Sequence, residues 1–253
     1  MHHHAAGRRG WLPRAGRRIA DADYKDAIEQ GMAIQQAEVA AIVANPEAPT
    51  FENTIVALDV SGRMLSRVLS VFNSVIGANT NDTLDAIDAE MSPRLTEHYD
   101  GINLNPELFA RVKAVYDNRA AMSMLPEDAW LLEETWKDMV QAGALLSEAE
   151  RAEVRQINSR LSSLTTEFSQ KLTDATNAGA LIVPDRAHLA GLTEAQVSAA
   201  ARAAADRGLE GQYAIALQNT TQQPPLATMT HRPTREGLVE RSVRRADMGD
   251  AND

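Results

Sequence analysis

Residues 147–178 read SEAERAEVRQINSRLSSLTTEFSQKLTDATNA. The run opens on Ser147 with Glu150 three residues on. That is a capping box: the serine oxygen accepts a backbone N–H of the first turn while the glutamate reaches back. Val154, Ile157, Leu161, Leu164, Phe168 and Leu172 then recur at steps of three and four. Such spacing lays the apolar side chains along one stripe of an α-helix. Arg151, Glu153, Arg155, Arg160, Glu167 and Lys171 occupy the other faces. At 1.5 Å per residue the helix is roughly 45 Å long. A rod of that length needs partners along its stripe, and the rest of the chain is expected to supply them.

Composition agrees with helix packing. Of 253 residues, 44% are hydrophobic but only 4% aromatic, and alanine is abundant, which favours helices over a β-sandwich. There is no cysteine. Disulfides and thiolate metal sites are excluded, and a reducing compartment is allowed. The net charge is −10. Residues 1–18 hold five arginines and no acid, so the remainder is more acidic still. An acidic body argues against nucleic acid or an anionic membrane as partner, and no apolar run is long enough to span a bilayer.

Residues 1–18 differ from the rest and lack the apolar core of a signal peptide. They are expected to be poorly ordered, and His2, His3 and His4 are read as a tag or chance rather than a metal site. Helical periodicity begins near Asp21, with Tyr24, Ile28, Met32, Val39, Ile42 and Val43 on one side, and stops at Asn45-Pro46. A second helix is predicted from Phe51 to Ile76, with Gly62 inside it at a cost of roughly 1 kcal/mol. A third starts at Asn81, and Pro93 either kinks it or begins a new turn from Ser92; Leu95, Tyr99 and Ile102 continue its apolar face. Asn105-Pro106-Glu107 is a start signal of cap, first-turn proline and acid. Leu125-Pro126 opens another helix carrying Trp130, Leu131, Met139 and Val140, with Gly143 at its end.

After Ala178 the period changes. Leu181-Ile182-Val183 and Tyr213-Ala214-Ile215-Ala216-Leu217 read as two short strands able to pair as a ribbon. Between them, Thr193 and Gln196 form a second capping box, ahead of an Ala-rich helix that stops at Gly208. Asn219-Thr220-Thr221-Gln222-Gln223-Pro224 reads as a polar loop, able to bind a peptide backbone or to cap the helix after it. Two helical pieces follow, the last near Thr234 to Met248. The expected fold is all-α, with long helices and one two-stranded β ribbon.

Catalytic motifs are missing. No His-Glu-x-x-His occurs, and His98, His188 and His231 are isolated in sequence, so each is read as a surface or structural residue. There is no phosphate-binding glycine loop and no Gly-x-Ser-x-Gly elbow. Adjacent acids such as Glu133 and Glu134 point different ways on a helix.

Several runs nevertheless resemble a known family. They are Asp23-Tyr24 through Gly31-Met32, Pro49-Thr50-Phe51-Glu52-Asn53-Thr54-Ile55, Ala78-Asn79-Thr80-Asn81-Asp82, and Leu104-Asn105-Pro106 through Arg111-Val112. Ala175 through Leu181, Leu217-Gln218-Asn219-Thr220-Thr221-Gln222-Gln223-Pro224 and Arg245 through Asp253 continue the pattern. Together they resemble the N-terminal third of a bacterial peptidyl-dipeptidase (dipeptidyl carboxypeptidase), within the thimet oligopeptidase and oligopeptidase A family of zinc metallopeptidases. The likeness runs from about Ile19 to the end. It implies a mainly helical, two-lobed enzyme around a deep channel. Its zinc is held by His-Glu-x-x-His and a later glutamate, with the motif glutamate as general base on a zinc-bound water. Short peptides are the substrates, and this branch releases C-terminal dipeptides.

The departures shape what is expected of this chain. Its last residues fall within the family's Asn-Asp-Ala-Asn-Asp-like segment, upstream of the zinc motif. No catalytic or metal-ligating residue is therefore carried over, no zinc is expected on this chain, and substrate-contacting positions stay unassigned. Where the family shows Leu-Pro-x-Phe, Leu12-Pro13 is followed by Arg14-Ala15-Gly16, so residues 1–18 are read as a non-family leader. Residues 19–253 are read as the N-terminal lobe, cut before the catalytic region, inactive alone and partnered by the missing C-terminal half. Cytoplasmic placement is expected, with the periplasm as the alternative. A free-standing helical peptide- or protein-binding module is the competing reading, and it calls for a polar surface all round.

Overall fold

The computed structural model describes residues 19–245, 247 and 249. The proposed leader, residues 1–18, and the closing residues 250–253 lie outside the described residues. The chain divides into two compact units, with the boundary between Ser163 and Leu164. Among the described residues the fold is all-α apart from one ribbon, as the periodicity predicts.

In the first unit, α1 (Asp23–Val43) packs along α3 (Arg63–Asn79) and against α4 (Asp82–Asn103). Tyr24, Ile28, Leu65, Phe72, Leu84 and Met91 form one core between them. The close approach of α1 and α3 depends on Gly31: a Cβ there would lie 2.9 Å from the Leu65 Cα. A second core joins α1 to α5 (Pro106–Asp117) and α6 (Pro126–Ala142) through Val39, Ile42, Ile55, Leu108, Val112, Leu132 and Met139. Asn105 caps α5 as its sequence indicates, its Oδ1 accepting from the N–H groups of Glu107 (2.9 Å) and Leu108 (3.0 Å). Arg111 on α5 then fixes the preceding loop, donating to the carbonyls of Asn45 (2.9 Å) and Glu47 (3.3 Å).

Two expectations change in this unit, and one open alternative is decided. The predicted helix from Phe51 to Ile76 is broken. A π-helical turn (Phe51–Val56) runs into a short α2 (Ala57–Asp59), and α3 restarts after Gly62. Gly62 has φ 70°, which ends the first segment, and its N–H is taken by the Glu38 carboxylate at 2.7 Å rather than by a helical carbonyl. Of the two alternatives at Pro93 the helix continues: Pro93 lies within α4 and no new helix starts at Ser92. On α6 Met139 is buried as expected and Leu132 joins it, while Trp130 is exposed.

The second unit has its own core. Strands β1 (Leu181–Val183) and β2 (Tyr213–Ile215) pair antiparallel, with Leu181 opposite Ile215 and Val183 opposite Tyr213. Helix α8 (Glu194–Ala205) packs on β2, and the predicted Thr193–Gln196 capping box forms. Val183, Leu189, Val197, Ile215, Leu217, Met229 and Leu238 are buried together. The polar run from Asn219 is not a loop. It forms α9 (Asn219–Thr228), ahead of α10 (Arg232–Val243). Its first turns close through the N–H of Gln222 on the Gln218 carbonyl at 2.8 Å, and the Gln222 amide donates to Ser242 Oγ at 2.9 Å. The Gln222 amide nitrogen thus bridges α9 and α10, while its Oε1 is buried without a hydrogen-bond partner.

Candidate functional site

Helices α1, α4 and the start of α5 line a cleft in the first unit with a volume of about 740 Å³. Its apolar lining includes Met32, Val39, Val43 and Ile102. Its polar lining includes Gln36, Arg94, Glu97, Glu107 and Arg155. Arg155 comes from α7 (Glu148–Ala178), the helix of the Ser147 capping box. The cations are already matched. Arg94 pairs with Glu29 and, at 3.4 Å, with Glu90; the Glu29 carboxylate, acting first through its hydrogen bond, holds the guanidinium above its ordinary pKa. Arg155 pairs with Glu148 at 3.0 Å and, with Arg151, keeps that carboxyl below its usual range.

His98 also lines the cleft but is buried, only 5% exposed. Its Nε2 donates to Gln35 Oε1 at 2.8 Å, and its Nδ1 has no hydrogen-bond partner. Burial lowers the imidazole pKa. Next to it, Tyr99 is 40% exposed rather than part of the apolar face. Adjacent to Tyr99, Asp100 accepts from the Asn158 amide of α7 on both carboxylate oxygens, at 2.9 and 3.1 Å. Burial raises the Asp100 pKa while that hydrogen bond opposes it. No serine, threonine or cysteine lines this cleft. Its lining combines apolar, amide and charged side chains.

Two of the histidines read as isolated come together in the second unit. The rings of His188 and His231 stack with centroids 4.3 Å apart and planes 12° from parallel, and His231 Nδ1 bonds Thr234 Oγ1 at 2.6 Å. Nothing in the spacing of positions 188 and 231 signals this contact, which the packing of α10 beside β1 creates. Among the described residues no three or more His, Asp or Glu side chains converge where they could hold a metal ion. The described residues therefore do not fit a zinc ion, and no catalytic step is assigned to them. None of the described helices is long and apolar enough to cross a membrane.

Helix α7 departs most from its sequence reading. Its buried residues are Thr166 and Ala175. Ile157, Leu161, Leu164, Phe168 and Leu172, the stripe expected to pack, are 42–68% exposed. In the first unit the polar side of the helix turns inward: Asn158 meets Asp100, and Arg151 donates to the carbonyl of Leu146 at 2.8 Å.

No family model matches the chain, but individual relatives do. Dipeptidyl carboxypeptidase of Escherichia coli (strain K12) is 44% identical over 235 residues, which are 93% of this chain and 34% of the relative. The dipeptidyl carboxypeptidase of Salmonella typhimurium is 42% identical over 236 residues, 93% of this chain and 35% of the relative. The chain belongs to the thimet oligopeptidase/peptidyl-dipeptidase family. Oligopeptidase A of Escherichia coli (strain K12) extends the family likeness at 27% identity over 213 residues, 82% of this chain and 31% of the relative. The chain spans about a third of the length of the peptidyl-dipeptidase relatives it matches. The resemblance read from the motif runs at Asp23, Pro49, Leu104 and Leu217 thus holds across the sequence.

Proposed function

We propose that this chain is the helical N-terminal lobe of a zinc-dependent peptidyl-dipeptidase, an enzyme that removes C-terminal dipeptides from short peptides. The observation that carries the reading is the 44% identity to a dipeptidyl carboxypeptidase over 93% of this chain and 34% of that enzyme. In this reading the lobe helps wall the substrate channel, the zinc and its ligands are supplied by the remaining part of the protein, and the lobe alone is inactive. The apolar stripe exposed on α7 supports a lobe over a free-standing binding module, which would show a polar surface all round.

The test is zinc content together with dipeptide release from N-terminally blocked peptides, measured on the purified chain. The expected result is no stoichiometric zinc and no release. One tightly bound zinc with chelator-sensitive release would overturn the assignment of catalysis to another part of the protein.

A further inference from the structure

We infer that the first half of α7, residues 148–163, is a hinged strap on α4, and that the contact between Asn158 and Asp100 is the latch that holds it down. No residue from Glu148 to Ser163 is buried. Ile157 and Leu161 are 56% and 59% exposed, and Arg155 pairs with Glu148 on its own helix. This stretch therefore gains little from apolar burial, unlike α1, α4 and α5, which each sink several side chains into a core. A segment attached in this way opens at a free energy well below that of global unfolding. Its tie to α4 is polar: the Asn158 amide donates to both oxygens of Asp100, at 2.9 and 3.1 Å. Asp100 is 9% exposed, and among the described residues no other group donates to its carboxylate.

The pivot lies at the start of the strap. Gly143 closes α6 at φ 111°, where a Cβ would meet Leu146 at 2.8 Å, and Ala144 is buried in the core that α5 and α6 share. Arg151 then ties the first turn of α7 to that loop, donating to the carbonyls of Ala144 at 3.4 Å and Leu146 at 2.8 Å. Its side chain is 12% exposed. Asn158 stands seven residues further on, about 10 Å along the helix. One end is thus anchored in the core, and the other rests on one amide–carboxylate contact. A hydrogen bond to a charged group shifts a two-state ratio by roughly ten- to a hundredfold. That is large enough to keep the strap down and small enough for water to replace the contact. Release also withdraws Arg155 from the cleft lined by α1, α4 and α5, so the latch governs how open that cleft is.

Two spin labels on the full chain test this through the distance between them. The sequence has no cysteine, so Ala110→Cys on α5 and Gln156→Cys on α7, both at exposed positions, give unique attachment points. Pulsed electron paramagnetic resonance on the otherwise unaltered chain is expected to return one narrow distance. Asn158→Ala and Asn158→Asp are each expected to add a second, broad population, with the docked-to-undocked ratio lower by roughly ten- to a hundredfold. The exchange Asp100→Asn with Asn158→Asp again sets an amide against a carboxylate and is expected to recover the narrow distance, which a merely destabilised unit would not do. Circular dichroism and a urea melt of each variant separate release from unfolding. A strap held by this latch is ruled out if the distance is broad before Asn158 is changed, or if both single changes leave it narrow. It is ruled out equally if the exchange leaves the second population in place, or if release comes only with loss of the cooperative melt.

Discussion

Gln35, His98 and Gly62 form a connected polar cluster inside an otherwise apolar unit. His98 Nε2 donates to Gln35 Oε1, and the Gln35 amide lies where a Cβ on Gly62 would stand. Burial depresses the pKa of this imidazole below the ordinary 6.5, which favours the neutral ring. The consequence for stability has a definite sign. In the unfolded chain His98 takes a proton as the pH falls through its ordinary value, whereas the folded protein resists protonation there. Its contribution is fully present above pH 6.5 and is lost as the pH falls toward the depressed folded value. Urea midpoints at pH 7.5 and 5.5 are expected to fall further apart in the unaltered protein than in His98→Gln, which keeps a donor for Gln35 but cannot titrate. Equal differences in the two proteins would remove His98 as a source of acid sensitivity. Sequence read His98 as a surface or structural residue, because no second histidine stands at helical spacing. It did not reveal Gln35 as the partner, because the two positions are 63 residues apart and meet only when α1 packs on α4.

Element boundaries were legible where a local signal sets them. Asn105, Ser147 and Thr193 each cap the helix their sequence indicates, since a cap is a hydrogen bond made within three residues. The break at Gly62 was not. The apolar periodicity continues through it, and glycine is tolerated inside a helix at modest cost, so local pattern favoured one helix. The deciding contact is from Glu38 on α1, which captures the Gly62 N–H at 2.7 Å while the backbone turns to φ 70°. Gly62→Ala is expected to destabilise the protein by about 1–3 kcal/mol, because a left-handed conformation is costly for alanine and its Cβ would displace Gln35. Urea denaturation at neutral pH measures this. A change below a few tenths of a kcal/mol would mean that the α2–α3 break tolerates a side chain. The polar run at Asn219 was misread for a related reason: amides and prolines suggest a loop, yet Pro224 and Pro225 are accommodated in α9, and Ser242 on α10 receives the Gln222 amide.

At the scale of the whole molecule, the two units have separate cores, and each should respond to its own cavities. Leu238 is fully buried among Val183, Leu189, Val197 and Leu217. Leu238→Ala is expected to cost the second unit about 2–5 kcal/mol, the usual range for a large-to-small change in a packed core. Hydrogen exchange should then quicken in α8, β2 and α10, with α1 and α3 unchanged. Uniform acceleration across the chain would show that the units unfold as one. From sequence alone came the helical class, the ribbon, most caps and the family, because these rest on local periodicity, short-range hydrogen bonds and ordered motif runs. Tertiary structure alone decided which face of each helix is covered. Period 3.6 identifies the stripe from Ile157 to Leu172 but does not say whether anything lies against it. Burial depends on what the rest of the chain brings to that surface, and along α7 the described residues bring polar partners to the inner side and leave the apolar side open.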